Sequence, residues 1–354
     1  MKKTRVLVIG PSRSASRGGM ASVIQQEYDS PGLQEHLKMK FHASFKDGNL
    51  FSRIFYCMPA IIIGFFRIPF ADTLHIHMTS KGSMVRKLIY VQLGVWFHKK
   101  IVLQIHCCDY FFQGLSSMPK WYQSYVSRLM KRADKVLCLS EKFQEQLSDS
   151  LCLDNCIFFP NGIDLSEYHY QENNFHAYII YLGKICEDKG LRDLIEALYL
   201  LKTKEHLEIP CLLFGCGEIS RYQALCDQYR LTRVRFMGWV SGEEKKKYLS
   251  NSNILVLPSY HEGFPVVILE AMASGSAVIA TDVGAIPEMI DTSLKPHDVP
   301  ALAGTIKDKW NSIAEREKSN GETTYTAELR KDYQKVKEKY NIETLHKELG
   351  DILK

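Results

Sequence analysis

Short β-rich apolar runs alternate with helical segments along nearly the whole chain. Arg5–Ile9, Thr73–Ile76, Ile101–Ile105, Lys135–Leu139 and Ile157–Phe159 form a first series of predicted strands. Tyr178–Leu182, Cys211–Phe214, Val234–Met237, Ile254–Leu257 and Ala277–Ala280 form a second. Each run precedes a segment with helical spacing of apolar positions. Such alternation predicts the α/β class, with parallel sheets covered by helices on both faces. The polar stretch Gln171–His176 separates the series. The expected organisation is therefore two doubly wound domains, 1–170 and 177–324, and a charge-rich helical tail, 325–354. Ligands of open parallel sheets bind beyond the carboxyl ends of the strands, so the active site is expected in the cleft between two such domains.

Composition narrows the class without naming a function. At 354 residues the chain can bury two sizeable cores. Hydrophobic content of 45% and charged content of 24% are ordinary for a soluble protein. The ten cysteines are scattered with no Cys-x-x-Cys pair, and the opening apolar run is too short for a leader. The expectation is a cytoplasmic protein with reduced thiols, mostly in the core. Cys107 and Cys108 follow His106, but adjacent side chains diverge and no complementary pair exists, so no metal centre is expected there.

Charge is uneven. Residues 1–175 hold 21 Lys and Arg against 14 Asp and Glu, a net of +7, while the rest hold 24 against 26. A basic first half suits an anionic surface or acceptor. No helix-turn-helix, zinc finger or interleaved basic and aromatic stripe supports nucleic acid as a partner. Thirteen apolar residues, Ile54–Phe66, lie between Arg53 and Arg67. A spanning helix needs about 20 residues, so this is either a buried helix or a surface-seeking element with basic flanks. Arg86, Lys87, Lys99 and Lys100 add positive charge to the same domain.

Candidate chemistry concentrates at Glu262-Gly-Phe-Pro-Val-Val-Ile-Leu-Glu270. The preceding run ends in a loop, Pro265 suits a first helical position and Gly275 a stop, which predicts a helix from Pro265 to Ser274. Glu262 then lies before a helix N-terminus and Glu270 inside the helix. Ionised carboxylates accept from vicinal hydroxyls, and free N–H groups at a helix start suit sugar or phosphate oxygens. Spacing alone favours the plainer reading, a solvated loop Glu and an unrelated helix Glu.

The surroundings change that. Gly183-Lys184 and Lys189-Gly190 follow the strand at Tyr178, and Phe214-Gly-Cys-Gly217 and Val234–Gly238 come next. Gly275-Ser-Ala-Val-Ile-Ala and Gly284-Ala-Ile-Pro-Glu288 follow the two glutamates. In order and spacing, about residues 178–290 resemble the retaining glycosyltransferases of the GT-B fold, family 4, with their Glu-x7-Glu motif. Weaker matches are Gly18-Gly19-Met20, His106 and Pro160-Asn-Gly-Ile-Asp164. The resemblance implies transfer of a sugar from a nucleotide sugar, UDP by default, without cofactor. The basic first half and the apolar segment lean towards a lipid-linked or cell-surface polysaccharide acceptor and peripheral contact with an anionic membrane. It also implies a last helix that crosses back onto the first domain.

It further implies roles. Glu262 lies near the transferred sugar, Glu270 accepts the ribose hydroxyls, and Gly263, Phe264 and Pro265 give backbone contacts. Gly18 and Gly19 face the donor diphosphate and the acceptor. His106 lies near the transferred sugar, with His75 and His77 behind it or on the acceptor side. No two aspartates stand two positions apart, so a metal on the leaving diphosphate is not expected and its growing charge falls to Lys184 and Lys189. The family usually has Arg where Lys184 stands, and Lys lacks the bidentate fork. Asp291-Thr-Ser-Leu-Lys-Pro replaces the usual Asn-Gly turn. No residue is an evident nucleophile; the family's retention is usually ascribed to front-side attack assisted by a donor phosphate oxygen. Two other readings share the architecture: a sugar-nucleotide 2-epimerase, which needs no acceptor, and a non-catalytic sugar-nucleotide-binding subunit.

Overall fold

The structure is a computed structural model and describes residues 3–12, 19–45, 50–170, 178–318 and 323–354. The chain forms two compact units, Met1–Asn161 with Ile342–Lys354, and Gly162–Asn341.

The first unit holds six strands: β1 (Thr4–Pro11), β2 (Leu37–Phe45), β3 (Thr73–Met78), β4 (Lys100–Ile105), β5 (Lys135–Cys138) and β6 (Cys156–Phe158). They form one sheet in the order β2-β1-β3-β4-β5-β6, every pair parallel. Period-two alternation sends Leu7 and Ile9 of β1 to a core with Leu74, Ile76, Leu103 and Ile105. Val6 and Val8 point the other way, to Ile24, Leu33 and the leucines 345, 349 and 353. The C-terminal helix Ile342–Leu353 thus covers the first unit's own sheet, and burying each leucine contributes about 1.5–3 kcal/mol.

The second unit holds β7 (Ile179–Leu182), β8 (Cys211–Phe214), β9 (Val234–Gly238), β10 (Ile254–Leu257) and β11 (Ala277–Ala280). Their order is β11-β10-β7-β8-β9, again parallel throughout. All ten strands predicted from the apolar runs are present, within two residues at each end. β2 is the one the runs do not reveal. It is an edge strand in which Lys38 and Lys40 interrupt the apolar positions, a common guard on an edge. The tail is two helices rather than one, Thr324–Lys339 in the second unit and Ile342–Leu353 in the first. Between them Tyr340 is buried and its carbonyl accepts from Ile163 N–H at 3.0 Å.

The apolar segment is helical over Leu50–Arg67 and only partly buried. Ala60, Gly64 and Ile68 turn inward. Phe55, Met58, Ile62 and Phe66, at spacings of three and four, form an exposed stripe, with Phe55 76% exposed. The helix Gly82–Trp96 adds exposed Val85, Ile89 and Trp96. One basic residue expected on this surface is not there. Lys87 falls on the inner stripe of that helix with Met84, Leu88 and Val91, is 1% exposed, and donates to Ser44 Oγ. Among the described residues no helix is long and apolar enough to cross a membrane.

Candidate active site

In the second unit the loop after β10 carries Glu262. Its Oε1 accepts from Lys189 Nζ at 2.5 Å and from Ser259 Oγ at 2.7 Å. Lys189 Nζ also donates to the His261 carbonyl at 3.2 Å. The lysine reaches this position because a 3₁₀ turn, Glu187–Lys189, ends at Gly190 with φ of 62°. A Cβ at Gly190 would lie 1.8 Å from the Pro258 carbonyl oxygen, so only glycine lets the turn close on the loop.

Three further segments hold that loop. Tyr260 N–H donates to Asp188 O at 2.9 Å, and its hydroxyl donates to Asp193 Oδ1 at 2.8 Å. Thr281 Oγ1 donates to Ser259 O at 2.5 Å. Ala285 N–H donates to Gly263 O at 3.0 Å, and Gly284, with φ of 57°, packs where a Cβ would stand 2.3 Å from Glu262 O. The Gly284-Ala285 pair therefore acts as a backbone clamp on Glu262-Gly263.

The helix after the loop is Val266–Ser274, with Pro265 as its N-cap rather than its first residue and Gly275 left-handed at its end. The rigid φ of proline serves either position. Phe264 is buried edge-on against Tyr340, with ring centroids 5.7 Å apart. Glu270, 7% exposed, accepts from Lys245 Nζ at 2.6 Å and from Tyr168 OH at 3.1 Å. Burial, then the Glu270 carboxylate, pushes the Tyr168 phenol above its ordinary value. Lys184 is exposed on the loop after β7, where its carbonyl accepts from Tyr181 OH at 2.7 Å.

In the first unit Gly19 is exposed and opens the helix Gly19–Asp29, whereas Gly18 lies outside the described residues. His106, half-buried just past β4, has Nε2 2.8 Å from Nδ1 of His77 on β3, and the two rings stack. Behind them Glu27 is 3% exposed. Its Oε2 lies 3.3 Å from His77 Nε2 and 3.6 Å from His75 Nδ1. Desolvation holds His75 down to about 4, His77 to about 3 and His106 well below the ordinary imidazole range, and it raises Glu27. These imidazoles are neutral. Glu27, His75 and His77 offer three potential metal-ligand atoms within 4.8 Å of one another, a grouping the sequence does not reveal.

The structure thus joins Lys189 to Glu262, leaves Lys184 exposed, and gives Glu270 a cation of its own. Sequence reasoning missed Lys245, which sits in a Lys-Lys-Lys run that reads as a solvated helix face. Tyr168, Ser259 and Glu27 carry no motif signal.

Two family models match the chain: "Glycosyltransferase Family 4" over residues 26–167 and "Glycosyl transferases group 1" over residues 176–311. An uncharacterised glycosyltransferase of Methanocaldococcus jannaschii is 25% identical over 220 residues, covering 62% of this chain and 58% of that protein. The amylovoran biosynthesis glycosyltransferase AmsK of Erwinia amylovora is 25% identical over 322 residues, covering 84% and 73%. The first three curated relatives are covered over 58%, 29% and 56% of their length, less than two thirds in each case. Among solved structures, HepE of Anabaena in complex with UDP superposes with a TM-score of 0.74 at 14% identity, over 99% of both chains. The fold is the GT-B architecture, two Rossmann-like units in one chain.

Proposed function

We propose that this chain, which belongs to the group 1 (family 4) glycosyltransferases, moves a hexose with retention from a UDP-sugar to a saccharide acceptor, lipid-linked or part of a cell-surface polysaccharide. The observation that carries the reading is the pairing of Lys189 with Glu262 beside a buried Glu270 bonded to Lys245 and Tyr168. In this reading the second unit takes the nucleotide. Glu270 accepts the ribose hydroxyls, and Lys245 and Tyr168 keep it oriented until the nucleotide arrives. Glu262, with the backbone of Gly263, Phe264 and Pro265, meets the transferred sugar. Lys189 and Lys184 take the charge that grows on the departing diphosphate, with no metal on it. Each lysine is a point charge, so no bidentate geometry is needed.

The first unit serves the acceptor side, with Gly18 and Gly19 facing the donor diphosphate and the acceptor and His106 near the transferred sugar. Support for a UDP donor comes from the HepE complex, and support for a polysaccharide acceptor from the AmsK relative. Peripheral attachment to the inner face of a membrane fits the exposed stripe of Phe55, Met58, Ile62 and Phe66. Besides the buried Lys87, residues 48–108 hold six Lys and Arg and a single acidic residue, Asp72, itself paired with Arg5 at 2.5 Å. Apolar burial and attraction to anionic lipid act together on such a surface.

UDP release from a panel of UDP-sugars, in excess EDTA and with saccharide acceptors added in turn, tests the reading. Acceptor-dependent release that survives chelation is the expected result. Conversion of a nucleotide sugar to its epimer without acceptor would replace it with the isomerase, and loss of turnover in EDTA restored by magnesium would overturn the lysine-based account.

A further inference from the structure

Polar side chains gather at one point on an apolar face of the first unit's sheet. His75 and His77 stand two apart on β3, so both leave the sheet on the same side. On that side Val8, paired in register with His75, meets Ile24 and Leu33. Glu27 follows Ile24 by one turn of the helix Gly19–Asp29 and reaches the same point. Glu27, His75 and His77 are 3%, 1% and 0% exposed. Burying three such groups is costly unless something satisfies them, and the surrounding residues do so only in part. Glu27 Oε2 and His77 Nε2 have no hydrogen-bond partner among the described residues, yet they face each other at 3.3 Å. His75 Nδ1 lies 3.6 Å from the same oxygen.

We propose that Glu27, His75 and His77 hold a divalent transition-metal ion, zinc by the chemistry of the set, at a structural site. The spacing fits: ligand atoms about 2.0–2.2 Å from a tetrahedral zinc stand about 3.3–3.6 Å apart. Two imidazoles and one carboxylate suit zinc, whereas magnesium and calcium take oxygen ligands. The second nitrogen of each ring has the polar partner that orients a ligating histidine. His75 Nε2 lies 3.1 Å from Gln104 Oε1, and His77 Nδ1 lies 2.8 Å from His106 Nε2. Three protein ligands leave a fourth position for a water or the second Glu27 oxygen. The ion would tie the helix Gly19–Asp29 to β3 and, through His77, fix the ring of His106. Lys87 is a cation whose field reaches His77, and its ammonium is engaged by Ser44 Oγ. This ion is not one on the diphosphate, whose charge is given to Lys184 and Lys189 of the other unit.

Full-length protein purified without metal-affinity resin should carry about one equivalent of zinc per chain by elemental analysis. Where purification strips the ion, added zinc should raise Tm by about 5–15 °C and magnesium should not, and cobalt(II) should give the visible bands of a four-coordinate ion. Glu27→Gln and His77→Gln each delete a ligand. They should weaken zinc more than the about 10- to 100-fold expected for Gln104→Leu, which removes only a second partner. Replacing Cys107 and Cys108 together by Ala should leave zinc affinity unchanged. If a ligand variant does not fold, the wild-type cobalt spectrum decides, because imidazole and carboxylate ligands lack the intense charge-transfer band of thiolates. Protein without zinc that shows neither a Tm shift nor four-coordinate cobalt bands on addition would overturn the site, and a shared proton would then join Glu27 to His77. Zinc held equally well by Glu27→Gln and His77→Gln would overturn it too, by placing the ion elsewhere. None of these readouts depends on turnover. In the EDTA assay, activity restored by zinc and not by magnesium reports on this site, whereas activity restored by magnesium reports on the diphosphate.

Discussion

Lys189→Ala separates the two tasks that the structure assigns to one ammonium group. In the unliganded protein Lys189 holds Glu262 at 2.5 Å, with side chains 25% and 12% exposed. During transfer its proposed task is to meet the charge on the leaving diphosphate. The truncation removes both. On the stability side Glu262 keeps Ser259 Oγ at 2.7 Å and some solvent, so the unpaired carboxylate costs about 1–2 kcal/mol. The expected fall in Tm is a few degrees, roughly 2–4 °C per kcal/mol for a domain of 150–250 residues.

On the catalytic side, a unit charge near 4 Å at an effective dielectric of about 20 interacts by about 4 kcal/mol. Competition from Glu262 for the same ammonium reduces this, which leaves about 2–4 kcal/mol. At about 1.4 kcal/mol per decade the loss is about 30- to 1000-fold in kcat/KM. The assay is UDP release at several donor concentrations, with melting curves with and without UDP. Lys189→Arg should retain most of the rate, because the charge survives although the geometry changes. An alanine variant whose Tm falls while kcat/KM stays within threefold would refute the argument: the ion pair would then be structural and the diphosphate would be met elsewhere.

Four other outcomes follow from the same geometry. Glu270→Ala should weaken UDP and UDP-sugar alike, while Glu262→Ala should spare UDP and depress turnover; calorimetry with both ligands that shows equal losses in both variants sinks this division. Gly284→Ala would place a Cβ 2.3 Å from Glu262 O and force a left-handed alanine, so turnover should fall far more than the thermal stability of the protein, as rate and melting measurements on one sample will report. Burial pushes Asp332 up to about 6; a carboxyl raised above its unfolded value stabilises fully at low pH and loses that contribution as pH rises through about 6, so Asp332→Asn should raise stability by up to about 3 kcal/mol at pH 7.5 and by little near pH 4, as urea unfolding at both will show. The protein should float with anionic liposomes at low salt and release at high salt; Arg67, Lys99 and Lys100 replaced together by Gln should weaken this, and flotation indifferent to lipid charge and salt would refute the electrostatic part.

The legible part of the fold was the part that apolar periodicity encodes. Strands buried on both faces, such as Ile254–Leu257 and Ile101–Ile105, announce themselves because every position but Gln104 is apolar. β2 does not, because an edge strand keeps lysines at alternate positions. The break at Tyr340 was hidden for another reason: both flanking segments are good helix formers, and the break meets distant residues, among them Ile163, whose N–H donates to the Tyr340 carbonyl. Lys87 was misread because a lysine count assumes solvent. The helix periodicity around Met84, Leu88 and Val91 already placed it on the inner stripe.

For the site, the motif glutamates were legible and their partners were not, and the reason is physical. A carboxylate within a glycine-flanked loop and another within an apolar helix stand out against their local background. Lys245 and Tyr168 reach Glu270 from 25 and 102 residues away, where no local pattern records the meeting. The glycines mark the middle ground. Gly190 and Gly284 were visible as motif letters, yet their meaning is a distance: a Cβ there would stand 1.8 Å from the Pro258 carbonyl oxygen and 2.3 Å from that of Glu262. Both bring backbone against that loop, Gly190 from before it in the sequence and Gly284 from after it. A site whose charged groups are positioned by backbone clamps rather than by side-chain packing should tolerate changes in its core better than changes at these two glycines. Leu269→Ala deletes a fully buried side chain and costs about 2–5 kcal/mol of stability, whereas Gly284→Ala displaces Glu262 itself. At a temperature where both variants remain folded, the leucine variant should keep the greater share of turnover, and the reverse order would show that packing beneath the helix Val266–Ser274, not the clamp, positions the carboxylates.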